Sequence, residues 1–167
     1  MHVTGQITTV RYRELSSGKL FAAMGKPHVR LGIKCTESMG PDIINDGVMF
    51  EQQPNAQTIK VVFREEATLR KIDVVPLSDA QIELPALPDA IAAAFSDLQS
   101  GSIVYGGEGG AYLVGEKDGN LLLVKLDDGA IMRGDPMMQY VVFRHWVLRS
   151  QPSGEEILKQ LVDTTGR

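Results

Sequence analysis

The stretch Met137-Met138-Gln139-Tyr140-Val141-Val142-Phe143-Arg144-His145-Trp146-Val147-Leu148-Arg149 decides how this chain is read. At a two-residue period, Met138, Tyr140, Val142, Trp146 and Leu148 fall on one side. Val141, Phe143 and Val147 fall on the other. Both sides are apolar, so the pattern predicts a strand at the centre of the second half, covered on both faces. Its β-branched and aromatic residues favour strand over helix.

Upstream, turn signals recur about every ten residues: Gly106 to Gly110, Lys117-Asp118-Gly119-Asn120, Asp127-Asp128-Gly129 and Arg133-Gly134-Asp135-Pro136. Short apolar runs lie between them, which predicts an antiparallel meander. Asp118-Gly119 is the sharpest hairpin signal, because type I′ turns need positive φ at both central residues.

The first half also alternates. Val29, Leu31, Ile33 and Cys35 face one way, with His28, Arg30, Lys34 and Thr36 opposite. Ile59, Val61 and Phe63 alternate with Lys60 and Arg64. Residues 2–15 are β-rich, 69–76 read as a strand, and 37–56 read as a loop holding at most one short strand, 48–50. Two helices are expected. Leu87, Ile91, Phe95 and Leu98 have helical spacing over 87–99, with Pro88 in the first turn and Gly101 past the end. Ser153-Gly154-Glu155-Glu156 has capping-box form at the start of 154–163. No unit recurs at a fixed period of 20–50 residues. The expected fold is α+β, mainly antiparallel β, with about eight to ten strands and two short helices. It is read as one compact domain over 1–167, with sub-lobes 1–84 and 85–167 as the alternative.

The chain has 167 residues, 43% hydrophobic and 23% charged, a balance that excludes a disordered tail. Its one cysteine excludes an intramolecular disulfide framework and a multi-cysteine zinc site. No basic region leads into an apolar core at the start, and no run approaches a membrane span, so a soluble, cytoplasmic protein is expected. Net charge is −4, unevenly spread. Residues 1–35 carry six Lys/Arg against one acid, and residues 77–136 carry ten acids against three bases.

No catalytic constellation, metal set or cofactor motif stands out. The glycines at 106–110 lead into a strand and lack the register of a phosphate loop. His2, His28 and His145 lie too far apart for a local metal pair. Cys35 sits on the apolar side of its strand, where a small core residue is expected. The leading expectation is therefore a non-enzymatic β-rich binding or assembly module, with a protein partner or self-association through sheet edges and the docked C-terminal helix. A first alternative is a small-ligand binder or enzyme with a pocket around Arg144 and His145, walled by Tyr140 and Trp146. A second is a nucleic-acid or phosphate binder using Arg11, Arg13, Arg30, Lys34, Lys60 and Arg64. It is disfavoured, because those strands lack interleaved aromatics for base stacking.

Overall fold

The structure is a computed structural model that describes residues 9–24, 29–39, 42–44, 46–52, 59–77, 80–106, 109–150 and 159–163. The first half runs β1 (Val10–Arg11), a 3-10 turn (Tyr12–Glu14), β2 (Leu20–Met24), β3 (Val29–Lys34), β4 (Glu37–Met39), β5 (Asp42–Ile44), β6 (Gly47–Gln52), β7 (Ile59–Arg64), the one-turn helix α1 (Glu66–Leu69), β8 (Asp73–Pro76) and β9 (Ala80–Glu83). The second runs β10 (Ala90–Ala94), a 3-10 turn (Phe95–Asp97), β11 (Ile103–Gly106), β12 (Gly110–Lys117), β13 (Asn120–Lys125), β14 (Ile131–Met132), β15 (Gln139–Phe143), β16 (Val147–Ser150) and β17 (Lys159–Asp163).

The two halves share one strand order. The first is β1-β8-β2-β3-β6-β7 and the second β10-β15-β11-β12-β13-β14. In each, an opening strand and a 3-10 turn lead into a four-strand meander. A last strand then returns between the opening strand and the first of the meander. The β4–β5 hairpin is an insertion in the first half alone. Registers correspond as well: Val10 and Arg11 face Val74 and Asp73, as Ala93 and Ala94 face Tyr140 and Gln139.

The sequence behind the repeat lies at a spacing of 83: Tyr12-Arg13-Glu14-Leu15-Ser16-Ser17-Gly18-Lys19-Leu20-Phe21 against Phe95-Ser96-Asp97-Leu98-Gln99-Ser100-Gly101-Ser102-Ile103-Val104. Hydrogen bonds repeat with it. The Leu15 amide donates to the Tyr12 carbonyl as Leu98 does to Phe95, and the Lys34 amide to Lys19 as Val114 does to Ser102.

A local two-fold relation joins the halves. Val62 of β7 lies beside Glu116 of β12 in parallel register, and Ala130 lies beside Thr36 in the same way. The meander registers make Val62 the counterpart of Ala130, and Thr36 that of Glu116. The two contacts are therefore one contact seen from each side. β9 and β16, which follow equivalent strands, pair antiparallel with Ile82 opposite Leu148, at the centre of that symmetry.

This arrangement explains the apolar runs. One face of each meander enters a shared core, where Leu20, Ile33 and Val48 meet their counterparts Ile103, Leu113 and Val124 around Trp146 and Leu148. The opposite faces close private cores: Tyr12, Phe21, Met49 and Val74 in the first half, and Val104, Val114, Tyr140 and Val142 in the second. Adjacent residues such as Val104 and Ile103 are thus both buried, because both faces of the sheet are covered.

Several expectations are corrected. The chain is mainly β, 57% strand against 9% helical, so its helical content is lower than the α+β reading anticipated. Residues 87–99 do not form a helix. Leu87 and Ile91, the leading residues of the supposed stripe, stand 79% and 76% exposed, and Ala90–Ala94 pairs with β15. Burying Ala93 and Leu98 while completing a ladder outweighs the helical propensity of a short alanine run. Of 154–163, residues 159–163 form β17 against β16, and the Ser153 capping box lies outside the described residues. The 137–149 strand is two strands, β15 and β16, belonging to different sheets and broken at 144–146. Residues 37–56 hold three strands where at most one was expected. Lys34 does not face outward: it is 5% exposed, because the segment after β1 folds over that face.

Candidate binding sites

The break between β15 and β16 is organised by one carboxylate. Asp89 Oδ2 accepts the Arg144 amide at 2.6 Å, and Oδ1 lies 3.0 Å from His145 Nδ1. The carboxylate replaces the ladder partner that the chain loses at this point. Burial pushes the Asp89 carboxyl up, but the Arg144 amide, the His145 hydrogen bond and the two basic neighbours together hold it below its ordinary value.

The four expected pocket residues are dispersed. Tyr140 is buried in the second half's core, where its hydroxyl accepts the Asp135 amide at 3.2 Å. Trp146 is buried in the shared core and donates its indole N–H to the Gly101 carbonyl at 2.8 Å. His145 is half exposed beside Asp89. Arg144 alone of the four lines a surface depression of about 270 Å³ at the junction of the halves. Ile59, Lys60, Ser100, Ser102 and Glu116 line it with Arg144. Ser100 Oγ accepts the Val61 amide at 2.9 Å and donates to the Val61 carbonyl at 2.8 Å, pinning the second half to β7. Lys60 Nζ stands 3.1 Å from the Glu116 carboxylate.

The six expected basic residues do not form a free cationic face. Arg11, Arg13 and Arg30 are exposed. Arg64 pairs with Glu51 at 2.7 Å, and Lys60 pairs with Glu116. Lys34 points inward and donates to the carbonyls of Leu15 at 2.6 Å, Arg13 at 3.1 Å and Tyr12 at 3.4 Å, with its ammonium 5.3 Å from the Tyr12 ring centre. Burial lowers its pKa against a smaller upward pull from Glu66. Its counterpart in the second half is Val114, so the buried cation is a feature of this half rather than of the fold.

Beside it lies a polar cluster. Asp46, 1% exposed, pairs with Lys117 of the second half at 2.8 Å. That hydrogen bond is the main reason the Lys117 pKa is raised, against a smaller lowering by burial. Cys35 is fully buried, and burial is the leading cause that pushes its thiol up to about 12, so it is held as thiol. Among the described residues no three His, Cys, Asp or Glu side chains come together as a metal site. His2 and His28 lie outside the described residues. No helix among them is long and apolar enough to cross a membrane.

One sheet edge stands apart. β10 ends the strand order of the large sheet, and its sequence Ala90-Ile91-Ala92-Ala93-Ala94 carries no charge. Exposed Leu87 and Ile91 lie at one end, and exposed Met137 lies beyond the Ala94–Gln139 pair at the other. The sequence reading missed this edge because it took 87–99 as a helix. It missed Ser100, Ser102 and Glu116 because their meeting depends on the repeat, for which Leu15-Ser16-Ser17-Gly18 and Leu98-Gln99-Ser100-Gly101 are the visible signal. In comparisons with known proteins, no family model, curated protein or solved structure matches this chain.

Proposed function

We propose that this chain is a non-enzymatic assembly module that joins a second copy of itself along the edge of β10 that no described strand pairs. The observation that carries the reading is the edge itself. Natural sheets guard their edges with charge, proline or cover, because unpaired backbone groups recruit other strands. β10 is an outer strand of five residues with no charged side chain, and its exposed Ile91 and the preceding Leu87 are large and apolar. A strand that meets its own copy antiparallel pairs like with like, which is the geometry of a closed two-fold dimer. Small alanine side chains let the two backbones approach.

The titratable groups support a non-catalytic role. Cys35 is buried as thiol, and Asp89 is committed to Arg144 and His145. Light scattering tests the reading. The expected mass is twice that of the 18.2 kDa chain, and the Ile91→Lys variant is expected to return to one chain with its melting temperature unchanged. A wild-type protein that stays at one chain up to millimolar concentration overturns it.

A further inference from the structure

We infer that the depression between the halves is a binding site for a small organic anion bearing one carboxylate or phosphate group, with Arg144 as its principal contact. It does not rest on assembly through β10, although Arg144 meets Asp89 just before that strand, so the test below is run on a dimer-blocking variant as well.

The local two-fold makes two equivalent junctions, and comparing them separates what the fold needs from what this chain adds. At one junction the turn at 127–129 fills the space. Ser17 Oγ and Thr36 Oγ1 are hydrogen-bonded at 3.1 Å, and a Cβ on Gly129 would lie 2.7 Å from Ser17 Oγ. At the other, the counterparts of Asp127 and Asp128 are Ile59 and Lys60, that of Thr36 is Glu116 and that of Lys19 is Ser102. There the space is open, about 270 Å³. The first junction shows that the fold closes without an opening here. The open junction and its polar wall are therefore an addition of this sequence rather than a cost of the architecture.

The wall has the chemistry of an anion site. Lys60 and Glu116 satisfy each other at 3.1 Å, so that pair contributes little net charge. Arg144 supplies the remaining cation of the wall, and the nearby Asp89, on which its charge also acts, is not part of the lining. Its amide serves Asp89, but its guanidinium makes no hydrogen bond among the described residues. A planar five-donor group left open at the rim of a small cavity matches a carboxylate or a phosphate. Ser102 adds a second donor. It is 3% exposed, it lines the depression, and its hydroxyl has no hydrogen-bond partner among the described residues. Among the described residues no buried side-chain oxygen lacks a partner, so this hydroxyl is open to the solvent of the depression and can donate to what enters it. The cavity is too small for a polymer and suits a compact metabolite-sized anion.

The sole tryptophan reports on the site, since its indole hydrogen-bonds the carbonyl of Gly101, which also lines the depression. The experiment is a titration of Trp146 fluorescence and of melting temperature with inorganic phosphate in one arm and propionate in the other. Sodium chloride at matched ionic strength is the control. Saturable change with at least one anion, and none with chloride, is expected. Arg144→Gln should weaken that binding at least tenfold, and Ser102→Ala severalfold. Ser102→Ala should keep the wild-type melting temperature without ligand, and Arg144→Gln should lower it only slightly, because the guanidinium makes no hydrogen bond among the described residues and acts on Asp89 through charge alone. A response in one arm alone identifies the head group. No saturable response in either arm, or equal binding by Arg144→Gln, overturns the inference. Repeating the titration on Ile91→Lys keeps the result separate from the state of assembly.

Discussion

The amide of Gly18 donates to the Lys34 carbonyl and the amide of Gly101 to the Val114 carbonyl, each at 2.8 Å, and both glycines hold positive φ, 77° and 90°. They occupy one position of the fold, 83 residues apart, and each presses its backbone onto the opposite half: Gly18 onto Asp127 and Asp128, Gly101 onto Ile59. Only a residue without Cβ permits both the left-handed turn and the approach.

From this, alanine at either glycine should destabilise the protein, and unequally. Positive φ alone costs about 1–3 kcal/mol for a residue with Cβ. A Cβ on Gly18 would lie 2.9 Å from the Asp128 backbone, whereas on Gly101 it would collide directly with the Ile59 carbonyl. Denaturant titrations should rank Gly101→Ala well below Gly18→Ala. Equal losses would refute the close approach.

Asp89 should dominate the acid limb of stability around the β15–β16 break. Its carboxyl is held below the ordinary value, so its contribution is complete above the unfolded pKa of about 3.9 and is lost as pH falls through the folded value. Asp89→Ala should cost about 1–3 kcal/mol at pH 7, since the Arg144 amide and His145 lose their acceptor. The loss should shrink in acid. A pH-independent loss would contradict the assignment.

Lys34 and Lys117 should act oppositely at high pH. Lys117 has a raised pKa, so its pairing with Asp46 stabilises below about pH 10.4 and fades as pH rises through the folded value. Lys34 has a lowered pKa, so the folded state gains relative stability as pH climbs from that value towards the unfolded one. Chemical denaturation between pH 8 and 11 should therefore show a steeper alkaline decline in Lys34→Met than in wild type, and a shallower one in Lys117→Met.

Cys35 should resist thiol reagents in the native protein at pH 8 and react at the rate of unfolding. It is fully buried, and its thiol is pushed up to about 12. As the sole cysteine it gives a single-site reading. Fast labelling without denaturant would contradict its placement in the shared core.

Association through β10 should tighten with salt, because residues 77–136 carry ten acids against three bases and two such surfaces repel. Sedimentation between 20 and 500 mM sodium chloride tests this. Ile91→Lys should change monomer stability by less than about 0.5 kcal/mol, since Ile91 is 76% exposed. It should still abolish the dimer by placing charge on the edge.

Local chemistry alone was enough for much of this molecule. Turn residues and apolar alternation disclosed the β11–β14 meander, and Asp118 and Gly119 take the positive φ of 51° and 78° that their dipeptide implies. Alternation also located Val61, Phe63 and Cys35 in the interior. These features depend on neighbours in sequence, and there the residue types are sufficient. Where long-range pairing competed with local propensity, pairing prevailed. The alanine run became the edge strand β10 because β15 offered it a ladder, and the apolar run at 137–149 split because Asp89, far away in sequence, captured Arg144 and His145. Lys34 reads as a surface residue until the carbonyls of Tyr12, Arg13 and Leu15 close over it. The junctions between the halves, and the open space at one of them, belong to tertiary structure alone: they exist only where strands remote in sequence meet, and no periodicity within one strand encodes which residues will face each other across a two-fold.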